Sequence, residues 1–241
     1  MTSRLIGVLL RFRLHVVALM ADIESMFYQV KVPATHRNLL QFLWWPDGNL
    51  STEPVSYRMT VHPFGGVWSP SACSYALQKA ARDRCNTYSH DAVVAVSSDF
   101  YVDDFVKSMP TVEQASVLVT ELKALLASSG FNLTKWLSNV PSVLNDLPKT
   151  DLCESVKDME LCNDNVDRAL GVRWSIATDE LKLNNTVKQQ QSTRKGMLSV
   201  VSSVFDPLGF VGPFMVTAKL LLQELSRRKL TWEHPIPDDI R

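Results

Sequence analysis

Cysteine is scarce in this chain, and what there is forms no pattern. The four residues, Cys73, Cys85, Cys153 and Cys162, contain no C-x-x-C pair, and the five histidines are scattered without metal-site spacing. A zinc ribbon or knuckle is thereby excluded, leaving free thiols in a reducing, intracellular setting as the simplest reading. An excess of one charge is also missing: 25 Lys and Arg balance 25 Asp and Glu, for a formal net charge of +0. That excludes a strongly basic tail for nucleic acid but not a local basic groove, because net charge averages over faces. No apolar run is long enough to span a membrane. The stretch 5–21 comes nearest, but Arg11, Arg13 and His15 interrupt it and no small-residue cleavage site follows. No membrane contact and no targeting segment are expected, and repeats and low-complexity tracts are absent.

What is present suits a packed globular chain: 241 residues, 46% hydrophobic and 21% charged. Val16 to Ala21 is a short apolar run with paired valines, read as a buried strand that delivers Asp22 at its carboxyl end. Leu39–Trp45 and Val55–Val61 are strand-like about the turn residues Pro46-Asp47-Gly48-Asn49, which predicts a hairpin. Ser69-Pro70 predicts a helix start with serine as N-cap, its packed face carried by Ala72, Cys73, Ala76, Leu77 and Ala80. Val93–Val96 and Phe105–Met109 read as strands on either side of Tyr101-Val102-Asp103-Asp104. Ala115, Leu118, Val119, Leu122, Leu125 and Leu126 trace an amphipathic helix that Gly130 ends, and Phe131–Trp136 is a further strand. A poorly patterned linker then runs to about Asp164, followed by a hairpin at Leu170–Ile176 and Leu181–Leu183. Two helical patterns, Met197–Phe205 and Met215–Leu225, are parted by Asp206-Pro207-Leu208-Gly209. This order implies α+β: an antiparallel sheet backed by helices, then a helical region.

The chemistry lies in the acids. Asp103 and Asp104 fall between two apolar strand candidates with almost no spacer, which places them at a hairpin tip, and Asp22 can supply a third carboxylate from its own strand. Three converging acids repel one another unless strong cations sit between them. Oxygen-only ligands suit Mg²⁺, and two such ions about 4 Å apart stabilise the attacking and leaving oxygens of an in-line phosphoryl displacement. A Y-x-D-D tetrapeptide alone is weak, since chance supplies one in roughly one or two chains per hundred of this size.

The ordered set is stronger. Ala21-Asp22-Ile23-Glu24-Ser25-Met26-Phe27-Tyr28, Pro63-Phe64-Gly65-Gly66-Val67-Trp68-Ser69-Pro70 and Tyr101-Val102-Asp103-Asp104 resemble motifs A, B and C of reverse transcriptases, in order. The resemblance is to the Pao (BEL) group of long-terminal-repeat retrotransposons. It extends through Gly130–Trp136, Leu170–Trp174, Ser203–Phe210 and Ala218–Leu225.

This resemblance implies a polymerase palm with a ferredoxin-like antiparallel sheet and a partial fingers hairpin over 1–140. A linker and hairpin would follow over 141–190, and a helical thumb or connection-side region over 191–241. Asp22, Asp103, Asp104 and the carbonyl of Ile23 would hold two Mg²⁺ or Mn²⁺ ions. Phe27 falls where an aromatic ring blocks a 2′-hydroxyl, although a buried aromatic also suits plain core packing. Phe64 and Gly65 would flank the incoming nucleotide, Tyr101 would touch the primer end, and Lys135 would donate a proton to departing pyrophosphate. Partners would be an RNA or DNA template with primer, deoxynucleoside triphosphates and the remainder of a retrotransposon polyprotein. The setting would be the cytoplasm, in a virus-like particle, or the nucleus.

Little sequence precedes motif A, so the upstream basic residues that grip the triphosphate are expected to be missing. Nothing is expected to resemble an RNase H or integrase domain, and no aspartic-peptidase triplet occurs. A fragment of a larger polyprotein is therefore expected. A truncated, inactive relic that at most binds nucleic acid is the alternative. Arg194-Lys195 and Arg227-Arg228-Lys229 read as solvated helix ends or phosphate contacts, and Asp99 as a strand-edge residue.

Overall fold

The computed structural model describes residues 5–153, 166–170, 172–176, 178–182, 190–237 and 239. Cys162, Asp164, Gly171 and Leu183, which figure in the sequence reading, lie outside them. The chain divides into two compact units, Met1–Leu161 and Cys162–Arg241, so the division falls within the stretch expected as linker.

The first unit is built on strand β1, Val17–Ile23, whose run of small and branched apolar residues is buried along nearly its whole length. It sits inside a four-stranded sheet of order β4-β5-β1-β6, with β4 at Phe100–Tyr101, β5 at Asp104–Met109 and β6 at Leu133–Ser138. All its pairings are antiparallel. Alternation along β1 sends Val17, Leu19, Ala21 and Ile23 into a core completed by helices α3 (Ser69–Asp83), α4 (His90–Ser98) and α5 (Val112–Ala127). Asp22 falls on the other face. A short helix α1, Leu5–Phe12, buries Val8, Leu9 and Phe12.

Helix α5 follows its sequence pattern closely. Thr111 caps it by accepting from the Gln114 amide, and all six residues of the expected stripe are buried. Gly130 turns the chain with φ of 83°, letting the Phe131 amide return to the Leu126 carbonyl and β6 begin. The expected hairpin is also present, as β2 (Gln41–Trp44) paired with β3 (Val55–Arg58), with every residue of both strands exposed.

Two local expectations are corrected. Val93–Val96 is helical, within α4, because Ser89 caps the segment through the Ala92 amide and Ala92, Ala95 and Val96 bury at helical spacing. The β4 strand is consequently only two residues long. The N-cap of α3 is Trp68 and not Ser69. The Ser69 hydroxyl instead donates to the Pro63 carbonyl at 2.9 Å, closing the loop that precedes the helix.

The second unit pairs β7 (Val166–Ala169), β8 (Val172–Ser175) and β9 (Glu180–Lys182) in an antiparallel sheet; the first of these strands was not expected. Two helices follow, Arg194–Ser203 and Gly212–Arg227. Between them both Asp206 carboxylate oxygens accept backbone amides, from Phe210 and Val211, which explains the break at this point. No helix among the described residues is long and apolar enough to cross a membrane.

Candidate active site

Strand register assembles the acids. Asp22 pairs directly with Asp104 across the β1–β5 ladder. Directly opposed residues share a face, with Cβ atoms about 5 Å apart. Asp103 joins them through the backbone, its carbonyl accepting the Ile23 amide at 2.9 Å. The hairpin that carries Asp103 is as tight as a hairpin can be: Tyr101 pairs with Asp104, leaving two residues for the turn. Val102, the first of these, has φ of 59°. A β-branched residue in the left-handed region is a strained choice that surrounding structure has to enforce.

Electrostatics at the cluster reflect crowding. Burial, and then the charges of Asp103 and Asp22, push the Asp104 carboxyl up to about 6. The Asp103 carboxyl is also raised, first by burial and then by Asp22, against a lowering backbone hydrogen bond. Such a cluster calls for a cation, and its donors are all oxygen, which fits a hard divalent ion. As the side chains stand, no group of three or more His, Cys, Asp or Glu among the described residues closes on a single metal position. Asp22 is instead met by Lys135, whose Nζ lies 3.2 Å from Oδ1.

That contact has a backbone cause. β6 pairs with β1 at Leu19–Ser138 and Met20–Leu137, then at Asp22–Thr134 and Ile23–Leu133. Two steps along β1 thus match three along β6, so β6 carries a bulge at Lys135 and Trp136. Lys135 takes φ of 53°, Trp136 drops fully into the core, and the lysine side chain is re-aimed onto the acid. Its ammonium is held protonated above the usual lysine range, chiefly by the hydrogen bond to Asp22.

The expected nucleotide-side residues also meet one another. Phe27, buried in the short helix α2 (Met26–Gln29), packs edge-on against Phe64 with ring centroids 4.7 Å apart. Tyr28 approaches the same ring at 5.9 Å. Phe64 itself is 64% exposed, so one edge of the pair is open. Gly65 sits at φ of 83°, where only glycine is unstrained, and a Cβ on Gly66 would come within 2.8 Å of Ser69 Oγ. Tyr101 is half-buried opposite Asp104.

Arg194, Lys195, Arg227 and Arg228 lie at helix ends, as one of their two sequence readings had them, and each has a local partner. Arg194 lies over the Trp232 ring at 4.0 Å and donates to the Leu230 carbonyl, Lys195 pairs with Glu233, and Arg227 and Arg228 pair with Glu224. Asp99 directly precedes the edge strand β4, as its sequence reading had it, but it is buried: it is 1% exposed and takes both Arg11 and Lys107. Its partners lie 88 positions before it and 8 after it, so adjacency in sequence gave no signal.

Set beside known proteins, residues 9–136 match the family described as "Reverse transcriptase (RNA-dependent DNA polymerase)", which is more than half of the 241 residues. The chain therefore belongs to the reverse transcriptase family. Residues 193–241 match a family described as "Pao retrotransposon-like RNaseH-like domain", so this is a Pao-type reverse transcriptase. The same description corrects the expectation that nothing here resembles an RNase H domain. A solved structure, "Structure of the foamy viral protease-reverse transcriptase in complex with RNA/DNA hybrid", superposes with a TM-score of 0.56 at 14% identity. That match covers 93% of this chain and 26% of that one, so this chain spans about a quarter of its length. At such identity the likeness is one of fold. No curated protein matches.

Proposed function

We propose that the first unit is the catalytic palm of an RNA-directed DNA polymerase, transferring a deoxynucleotide to a primer 3′-hydroxyl. The observation that carries this reading is the opposition of Asp22 and Asp104 beside the strained turn of Asp103. Asp22, Asp103 and Asp104, with the Ile23 carbonyl, would hold two divalent ions. When bound, Mg²⁺ or Mn²⁺ supplies the charge that stabilises the attacking and leaving oxygens. The chain's own residues do the rest. Tyr101 supports the primer end, while Phe64 and Gly65 form the floor beside the incoming nucleotide. Phe27, braced by Phe64, excludes a 2′-hydroxyl by its bulk. Lys135 is protonated and aimed at the acids, as a donor to departing pyrophosphate needs to be.

The partners proposed are a template with its primer, deoxynucleoside triphosphates and the rest of a Pao-type polyprotein, in the cytoplasm or nucleus. The nucleic acid is supported by the RNA/DNA hybrid in the foamy viral structure. Extension of a DNA primer on an RNA template, with Mg²⁺ or Mn²⁺ supplied, tests the reading. Extension that is lost on Asp103→Asn supports it. Extension that survives this change overturns it.

A further inference from the structure

We infer that Asp99, gripped by Lys107 and Arg11, is a positioning residue that clamps the acid-bearing hairpin in register; this rests on the palm reading above. The hairpin needs such a device. Its ladder holds only two residue pairs, Phe100 with Phe105 and Tyr101 with Asp104, and its tip carries the strained Val102. Asp103 and Asp104 add mutual repulsion, and both are repelled by Asp22. Left to itself, a two-residue edge strand under that load would fray or slip.

Asp99 stands where four elements meet. It follows the last residue of α4, and its amide donates to the Ala95 carbonyl of that helix. Its carbonyl accepts the Val106 amide of β5, adding a rung beneath the two ladder pairs. Its carboxylate then spans the hairpin base to Lys107 Nζ at 2.6 Å, on the same strand as Asp104. The other carboxylate oxygen takes Arg11 Nε at 3.0 Å, from α1. The Arg11 guanidinium also donates to the Ser98 carbonyl, and the Arg11 carbonyl accepts from Ser108 Oγ of β5.

A carboxylate at 1% exposure with two cations is a poor way to add stability, since well-packed apolar side chains of similar volume serve as well or better. Its directional bonds are a good way to set register. The clamp lies at the hairpin's base, and its effect is read at the tip, through the positions of Asp103 and Asp104.

The test uses the whole chain and two readouts, Mn²⁺ affinity and amide exchange at Ile23, whose N–H donates to the Asp103 carbonyl. The comparison variant is Leu122→Ala, which opens the core on α5 without touching the hairpin clamp. Asp99→Asn is expected to weaken Mn²⁺ binding about tenfold or more, as loss of groups that orient metal ligands generally does. It is also expected to speed Ile23 exchange about tenfold. Lys107→Met, the milder change if Asp99→Asn folds poorly, shifts both in the same direction, and adding Arg11→Met brings them to the Asp99→Asn values. Leu122→Ala, at comparable loss of stability, leaves Mn²⁺ affinity where it was. The proposal is overturned if the Asp99 and Lys107 variants lose only as much stability as Leu122→Ala while Mn²⁺ affinity and Ile23 exchange stay unchanged. Should the unaltered chain bind no Mn²⁺, the metal reading itself has failed, and Ile23 exchange alone then decides the role of Asp99.

Discussion

Asp22 lies directly across the β1–β5 ladder from Asp104, so folding forces two carboxylates into a cross-strand pair beside a third. Like charges so placed destabilise a sheet. The Asp104 carboxyl, pushed up to about 6, binds its proton more tightly folded than unfolded. Its contribution to stability is therefore fully present below about pH 4 and is lost as pH rises through about 6. Asp104→Asn is expected to make the metal-free chain roughly 1–2 kcal/mol more stable at pH 7.5, allowing for partial solvent screening. The gain should close as pH falls toward 4. Urea unfolding at several pH values reads it, and a variant less stable at pH 7.5 contradicts the crowding described.

A bound divalent ion competes with that same proton. Mn²⁺ affinity should hold steady above pH 7 and fall as pH drops through about 6, by up to about tenfold per unit for one displaced proton. Titration calorimetry at three pH values measures the slope. An affinity that does not change between pH 5 and 7.5 places the ion on other ligands.

Lys135 combines a left-handed backbone with a largely exposed ion pair. The pair itself contributes only about 0–1 kcal/mol, because water screens it. The backbone strain is the larger quantity. Lys135→Gly should therefore be more stable than Lys135→Ala by about 1 kcal/mol, the reverse of the usual order in a strand. Thermal unfolding of the two variants decides this, and the usual order would show that no bulge exists at this point.

Phe27 is both core and, by proposal, gate. Replacing it with valine removes volume from a buried site and the edge contact to Phe64, at a cost of roughly 1–3 kcal/mol. In primer extension the variant should incorporate ribonucleotides more readily. Sugar selectivity that is unchanged in a folded variant leaves Phe27 with packing alone.

The legible part of this molecule is whatever a short stretch of chain decides. The run Val16 to Ala21 suits a buried strand and Val17–Ile23 is one, while the α5 stripe and the Gly130 stop each announce themselves within a few residues. Val93–Val96 was ambiguous for a physical reason: four apolar residues have no period, and the Ser89 cap that settles the matter is a single hydrogen bond. Ser69 looked like a cap because its alternative partner, Pro63, becomes visible only once the loop is closed. The acids were found because motif order survives in sequence. The bulge that turns Lys135 toward them and the burial of Asp99 depend on register between distant strands and helices, which local pattern does not encode.

The most direct test of the whole account is Mn²⁺ binding to the purified chain, measured by calorimetry beside Asp22→Asn and Asp104→Asn. Saturable binding that either substitution abolishes, with both variants still folded by circular dichroism, is the expected result. Binding of equal strength in all three proteins would contradict the assignment of these carboxylates as the metal site.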